Sequence, residues 1–212
     1  LINPKASARL AVGEALTNIA SARIAKVSDV TLSANWMAAC GDEKEDAALF
    51  DAVHTIGEEL CPALGITIPV GKDSLSMKAN WQDNGTDKTV SSPMSLIITA
   101  FAPVQNVAKT ITPELVNADA KLLRLDLSRG KLRLGGSIFA QTLSQLGNDC
   151  PDVDDATDLA NLFGFIQAAN EAGLIRAYHD IGDGGLVATA AEMQFASRLK
   201  VNLNLTDDNL LG

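Results

Sequence analysis

Apolar and polar positions alternate along this chain with two different periods, so helices and strands are predicted in both halves. The run from Ala6 to Ala20 has Gly13 as its one interior breaker, and Asn3-Pro4 before it reads as N-cap and first helical residue. Asp29 to Leu32 reads as a short strand, followed by a turn-prone Ser33-Ala34-Asn35-Trp36. Glu45 to Leu60 has helical periodicity, with Ala48, Leu49, Ala52, Val53, Ile56 and Leu60 on one face. Ile66 to Val70 is a strand running into Gly71-Lys72-Asp73-Ser74, and Leu75 to Trp81 alternates as another. Asp83-Asn84-Gly85 marks a hairpin turn, with the apolar Ser95 to Ala102 as the return strand.

The polar stretch Pro103 to Asp119 reads as a domain connection. It divides the chain into a first domain over 1–108, a linker over 109–120 and a second domain over 121–212. In the second, Lys121 to Leu127 is a predicted strand, and Leu134-Gly135-Gly136-Ser137 opens a helix reaching about Leu146. Asp158 is expected to cap a helix to Ala172, with Gly173 as its stop. Leu174 to Tyr178 is short and extended in character, Leu186 to Met193 is helical, and Val201, Leu203 and Leu205 alternate as a last strand. There is no steady βαβ rhythm and no GxGxxG after the first strand, so the fold class is α+β with mixed α/β layers rather than a Rossmann fold.

Composition narrows the function classes. The 212 residues are 47% apolar, enough for a sizeable core. Seventeen basic against 26 acidic residues give a net charge of −9, which argues against a nucleic-acid or anionic-membrane surface. No apolar run approaches the roughly 20 residues of a membrane span, and Leu1-Ile2-Asn3-Pro4-Lys5 is not a signal peptide. Three widely spaced cysteines, Cys40, Cys61 and Cys150, form no CxxC pair, so reduced thiols in a cytoplasmic protein are expected. A first residue other than Met and the ending Asn209-Leu210-Leu211-Gly212 suggest a piece of a longer polypeptide.

Two stretches carry candidate chemistry. His179-Asp180-Ile181-Gly182-Asp183-Gly184-Gly185-Leu186 places two carboxylates in a glycine-rich turn before a helix. Unpaired N–H groups at that helix start could face a phosphate, and Asp180 could hold a divalent cation. The same residues also fit an ordinary turn with Asp183 as N-cap. In the first helix, Glu14 and Asn18 stand four apart and emerge on one face, either as two oxygen ligands for Mg²⁺ or as a solvated polar stripe. Gly65 and Gly71-Lys72 do not make a P-loop, because five residues separate the glycines and Asp73 replaces Ser or Thr. Lys72 is left as a solvent-facing lysine or a phosphate contact. A nucleophilic cysteine lacks an evident basic partner, the two histidines being His54, in a helix, and His179.

Four ordered stretches together resemble a known family. Ser7 to Ala20 (SARLAVGEALTNIA), Leu32 to Met37 (LSANWM), Pro69 to Met77 (PVGKDSLSM) and His179 to Leu186 are similar to the large form of phosphoribosylformylglycinamidine synthase. The resemblance spans essentially the whole chain and corresponds to the second aminoimidazole ribonucleotide synthetase-like half, with an N-terminal subdomain and part of a C-terminal one. It implies an ATP- and glutamine-dependent ligase of purine synthesis that converts formylglycinamide ribonucleotide to its amidine. It further implies that this half carries an auxiliary Mg²⁺–ADP site, the reacting ATP belonging to the other half.

By position, the resemblance makes Glu14, Asn18 and Asp180 magnesium ligands, and places Gly182 where relatives have a nucleotide-contacting serine. That departure keeps an amide and removes a hydroxyl. A further acidic ligand of the family lies upstream of Leu1. The implied partners are nucleotide and the remaining domains of the same polypeptide, namely the first synthase half and the glutaminase domain. His179 does not inherit the family's catalytic histidine, which belongs to the first half, and is expected to orient Asp180. The alternatives are a purely structural module with an unoccupied nucleotide site, or a self-contained kinase or synthetase of the related superfamily.

Overall fold

A computed structural model describes residues 2–204. The first helix, α1 (Pro4–Ile19), starts where the sequence places it: the Asn3 carboxamide accepts the Ala6 N–H at 3.1 Å, and Pro4 occupies the first turn. Ala8, Val12 and Leu16, four residues apart, are completely buried along one stripe. Gly13 is where the helix meets the second half of the chain, since a Cβ there would stand 3.1 Å from a Val153 methyl.

Strand β1 (Thr31–Met37) begins later than expected and runs through the four residues that read as a turn. Leu32, Ala34 and Trp36 point to the core while Ser33 and Asn35 alternate outward, so polar residues of a one-sided strand imitated a turn. β1 is central in a three-stranded sheet. It pairs in parallel with β2 (Thr67–Ser74) and antiparallel with β5 (Ser95–Phe101). Gly71-Lys72-Asp73-Ser74, into which the expected strand Ile66 to Val70 runs, is itself the paired end of β2. A Cβ on Gly71 would lie 2.8 Å from the Ala34 carbonyl oxygen, so the glycine permits a close strand approach.

The connection from β1 to β2 is helical, as parallel pairing requires. It consists of α2 (Glu43–His54), a π-helical stretch Thr55–Leu60 and α3 (Cys61–Leu64), which ends at Gly65 with φ +67°. Ala52, Ile56 and Leu60 are buried as the periodicity requires, but Val53 is 44% exposed and Thr55 is fully buried. The wider π turn rotates the inward face away from a regular 3.6-residue stripe.

The hairpin turn is present, with Asn84 and Gly85 both at positive φ, but its return strand is different. β3 (Lys78–Asp83) pairs with β4 (Thr86–Ser91) in an exposed two-stranded ribbon, and β3 starts only after Leu75-Ser76-Met77. Ser95–Phe101, expected to close that hairpin, instead lies beside β1, where Leu96, Ile98 and Ala100 reach the core.

The second half is less regular than its sequence suggests. Residues 121–127 and 174–178 form no strand among the described residues, and neither do 201–204; Leu205 lies outside them. Leu123 is 82% exposed and has no neighbouring strand to pair with. Helix α4 is only Ile138–Thr142, ended by Ser144 and Gly147 at positive φ. Helix α5 (Ala156–Glu171) is capped by Asp155, whose carboxylate accepts the Thr157 N–H at 2.8 Å. Asp158, the expected cap, instead pairs with Arg129. Gly173, at φ +69°, stands just beyond the helix as expected. The last helix among the described residues is α6 (Gly185–Ser197).

One apolar core joins the two halves. Leu159, Phe163 and Ile166 of α5 are buried together with Val12 and Leu16 of α1 and with Ile56 and Leu60. Two polar links cross the same seam. Arg9 clasps Asp152 through two bonds of 2.8 and 2.7 Å, and buried Gln167 reaches the loop after α1. No helix among the described residues is long and apolar enough to cross a membrane.

Candidate functional site

The site is built from the middle of α1 and the segment 178–185. Tyr178 N–H donates to the Thr112 carbonyl at 3.0 Å, and the Tyr178 hydroxyl donates to the Thr17 carbonyl at 2.8 Å. The chain then turns through Asp180, Gly182 and Asp183 into α6. Gly184 and Gly185 have φ of +89° and +64°, and a Cβ on Gly184 would strike that of Ala188 at 2.6 Å, so the sharp entry needs glycine. Gly184 is the N-cap residue and no side chain caps the helix, which corrects the alternative in which Asp183 serves as N-cap. The first N–H groups of α6 therefore remain without a side-chain acceptor.

Residues 168 positions apart in sequence meet here. Gly182 lies against Glu14: a Cβ on the glycine would stand 3.6 Å from Glu14 Oε1. Partial burial raises the Glu14 carboxyl above its ordinary value, and the nearby charges of Asp180 and Asp183 raise it further. The carboxylate of Asp180 is only 14% exposed. Glu14, which has no basic partner among the described residues, and Asp180, which has only the His179 ring beside it, are hard oxygen donors whose chemistry suits a divalent cation.

Asn18 sits one turn beyond Glu14 and is exposed; its side chain makes no hydrogen bond among the described residues. Its backbone carbonyl accepts the Ser21 hydroxyl and N–H. The geometry thus packs Gly182, two residues after Asp180, against Glu14, with the charge of Asp180 near enough to act on that carboxyl, while Asn18 is joined to them only through α1. Among the described residues, no group of three or more His, Cys, Asp or Glu side chains is arranged to hold a metal.

His179 lies beside Asp180, its Nδ1 2.7 Å from the Asp180 carbonyl oxygen and 3.3 Å from Oδ1. Its Nε2 is 2.8 Å from Glu192 Oε2 on α6. The ring therefore ties the acid-bearing turn to the helix that follows, a link that sequence reading missed because Glu192 looks like an ordinary surface residue. Tyr178 was also missed as a contact to α1, since nothing in its local pattern points to Thr17. Lys72 Nζ bonds Ser74 Oγ at 2.9 Å on the sheet and belongs to a different region. Buried Cys61 has its thiol pushed up to about 11, which leaves it protonated and unsuited to nucleophilic attack.

Gly182 gives a direct test of this packing. Its φ is not positive and the space beside it is ordinary contact distance, so Gly182→Ser should be accommodated. A serine hydroxyl donating to Glu14 should draw that carboxyl back towards the normal range. Its contribution should be about 0.5–1.5 kcal/mol in metal-free protein, read as a higher melting temperature. An unchanged or lowered melting temperature would show that the hydroxyl does not reach the acid.

Comparison with known proteins places this geometry in context. Residues 1–103 match the FGAR-AT PurM_N-like domain, and residues 121–210 match the C-terminal domain of AIR synthase related proteins. Among solved structures, the chain is similar to PurLQS from Thermotoga maritima, with 14% identity over 99% of this chain and 32% of that one, at a TM-score of 0.51. T. maritima PurL complexed with ATP is 12% identical over 99% of this chain and 31% of that one, with a TM-score of 0.50. The hydrogenase maturation protein HypE of E. coli is 18% identical, over 90% and 51%, with a TM-score of 0.49. The chain spans about a third of the length of the T. maritima proteins, and at these identities the likeness speaks for the fold.

Proposed function

The chain belongs to the family in which an FGAR-AT PurM_N-like domain precedes an AIR synthase-related C-terminal domain, and from that premise we propose that it holds an auxiliary Mg²⁺–nucleotide site. The parent polypeptide would be an ATP- and glutamine-dependent ligase converting formylglycinamide ribonucleotide to its amidine. The observation that carries the reading is the packing of Gly182, two residues after Asp180, against Glu14 just before the uncapped start of α6. The fold it shares with a T. maritima PurL complexed with ATP agrees with this.

In this reading Glu14, Asn18 and Asp180 supply oxygens to Mg²⁺, and the Gly182 amide contacts nucleotide. Bound Mg²⁺ would offset the charge of the diphosphate and of the two acids. The N–H groups at the start of α6 present positive potential to an anion. His179, held by Glu192, keeps Asp180 in place. The units 1–108 and 121–212 with a 109–120 linker are the proposed division, the ligands coming from both. The first synthase half and the glutaminase domain are the proposed partners within the polypeptide, and cytoplasm the proposed location.

Calorimetric titration with ADP tests the proposal: saturable binding that requires Mg²⁺ is expected. Absence of binding with Mg²⁺ present would favour a second reading, a structural module whose nucleotide site has degenerated. The specific observation on that side is the missing hydroxyl at Gly182.

A further inference from the structure

The carbonyls of the last turn of α1, which ends at Ile19, have no partners further along the helix. The Ser21 N–H, past the helix end, donates to the Asn18 carbonyl at 3.3 Å and so leaves the Thr17 carbonyl to find a partner elsewhere. The Thr17 carbonyl is taken up by the Tyr178 hydroxyl from the other half of the chain. Among the described residues this is the one hydrogen bond between α1 and residues 174–185.

Thr17 lies between Glu14 and Asn18, and its own hydroxyl donates to the Glu14 carbonyl at 3.1 Å. Tyr178 is two residues before Asp180, and its backbone N–H is anchored on Thr112. The ring is packed against the apolar core, which removes its freedom to swing. A rigid aromatic strut, fixed at both ends, thus joins the backbone that carries Glu14 to the backbone that carries Asp180.

We infer that Tyr178 is a positioning residue, its hydroxyl setting the separation of the Glu14 turn of α1 from the Asp180 segment; the consequence for ligand rests on the cation reading proposed above. A cation bridging oxygens from two elements is sensitive to their spacing, because metal–oxygen distances for Mg²⁺ are short and narrowly defined. Metal-independent contacts to nucleotide are far less so.

Tyr178→Phe keeps the ring and removes the tether. Two measurements decide the matter in the intact chain: amide hydrogen exchange, and ADP titration with and without Mg²⁺. Faster exchange confined to residues 179–185, with α2 and β1 unchanged, is expected. ADP affinity in Mg²⁺ should fall by about three- to tenfold, and metal-free affinity should stay the same. Unchanged exchange over 179–185, or a uniform rise throughout the chain, would overturn the positioning role. A local rise in exchange in Tyr178→Phe, together with no Mg²⁺-dependent ADP binding by the wild-type chain, would uphold the tether and overturn the cation reading.

Discussion

Gln167→Ala is expected to lower the unfolding free energy by about 3 kcal/mol, the largest loss of any single polar substitution at the seam between the two halves. Gln167 is 4% exposed, and its carboxamide uses both ends. Oε1 accepts the Ile24 N–H at 2.8 Å, while Nε2 donates to the Ala20 and Ala22 carbonyls at 2.8 and 3.1 Å. Ile24 and Ala20 are completely buried, so water cannot replace what the glutamine supplies. Leaving one buried donor and one buried acceptor unpaired costs about 1–3 kcal/mol each, partly offset by local relaxation.

Glu171→Ala, one turn along α5, is the natural contrast. Its carboxylate pairs with Arg23 and Lys109, at 2.8 and 3.1 Å, but is 55% exposed, so water and salt compete for the interaction and the loss should be small. Urea denaturation of the two variants decides the question. Equal effects would mean that the seam is held by its apolar contacts and that the glutamine network is incidental.

Glu14→Gln should move metal-free stability and ligand affinity in opposite directions. Without metal, Glu14 is exposed at its residue level yet loses part of its hydration against the 180–183 turn, and with the charges of Asp180 and Asp183 nearby its carboxyl is raised above the ordinary value of about 4.5. The sign follows from proton linkage. In the pH range above the unfolded-state value the folded chain holds the proton more tightly, so stability is greatest below that range and falls as pH rises through the folded value. Wild-type, metal-free protein should therefore lose stability from about pH 4.5 upward at this site, and Glu14→Gln should abolish that part of the slope.

With Mg²⁺ the outcome reverses. A carboxamide is a weaker, uncharged ligand, and ADP affinity in Mg²⁺ should drop by more than tenfold if Glu14 is a metal ligand. Melting curves across pH, with and without Mg²⁺ and ADP, read both effects. A variant that is stabilised at neutral pH and still binds ADP like the wild type in Mg²⁺ would remove Glu14 from the ligand set.

The sequence by itself determined the local features that depend on neighbouring residues. These are the Asn3-Pro4 start of α1, the Asn84-Gly85 turn, the Gly173 stop and the glycine entry to α6. It also determined the α+β class, through mixed periods of alternation and helical spacing. Its residue chemistry pointed to Glu14 and Asn18 on one helix face and to Asp180 in a glycine-rich turn, and the family resemblance, not their spacing, joined these with Gly182 as one proposed site.

Tertiary structure decided everything that depended on partners distant in sequence. Whether Ser33-Ala34-Asn35-Trp36 turns or extends was settled by two flanking strands that supply its hydrogen bonds. Whether 121–127 becomes a strand was settled the other way, since no strand among the described residues lies beside it. The hairpin's return strand went to the residues nearest the turn, since Ser95–Phe101 gains more by burying one face against α1 beside β1. The roles of Gln167 and Tyr178 were illegible for the same reason. A glutamine on a helix and a tyrosine in a loop announce nothing until folding places the end of α1 opposite them, and that contact sets the spacing of Glu14 and Asp180.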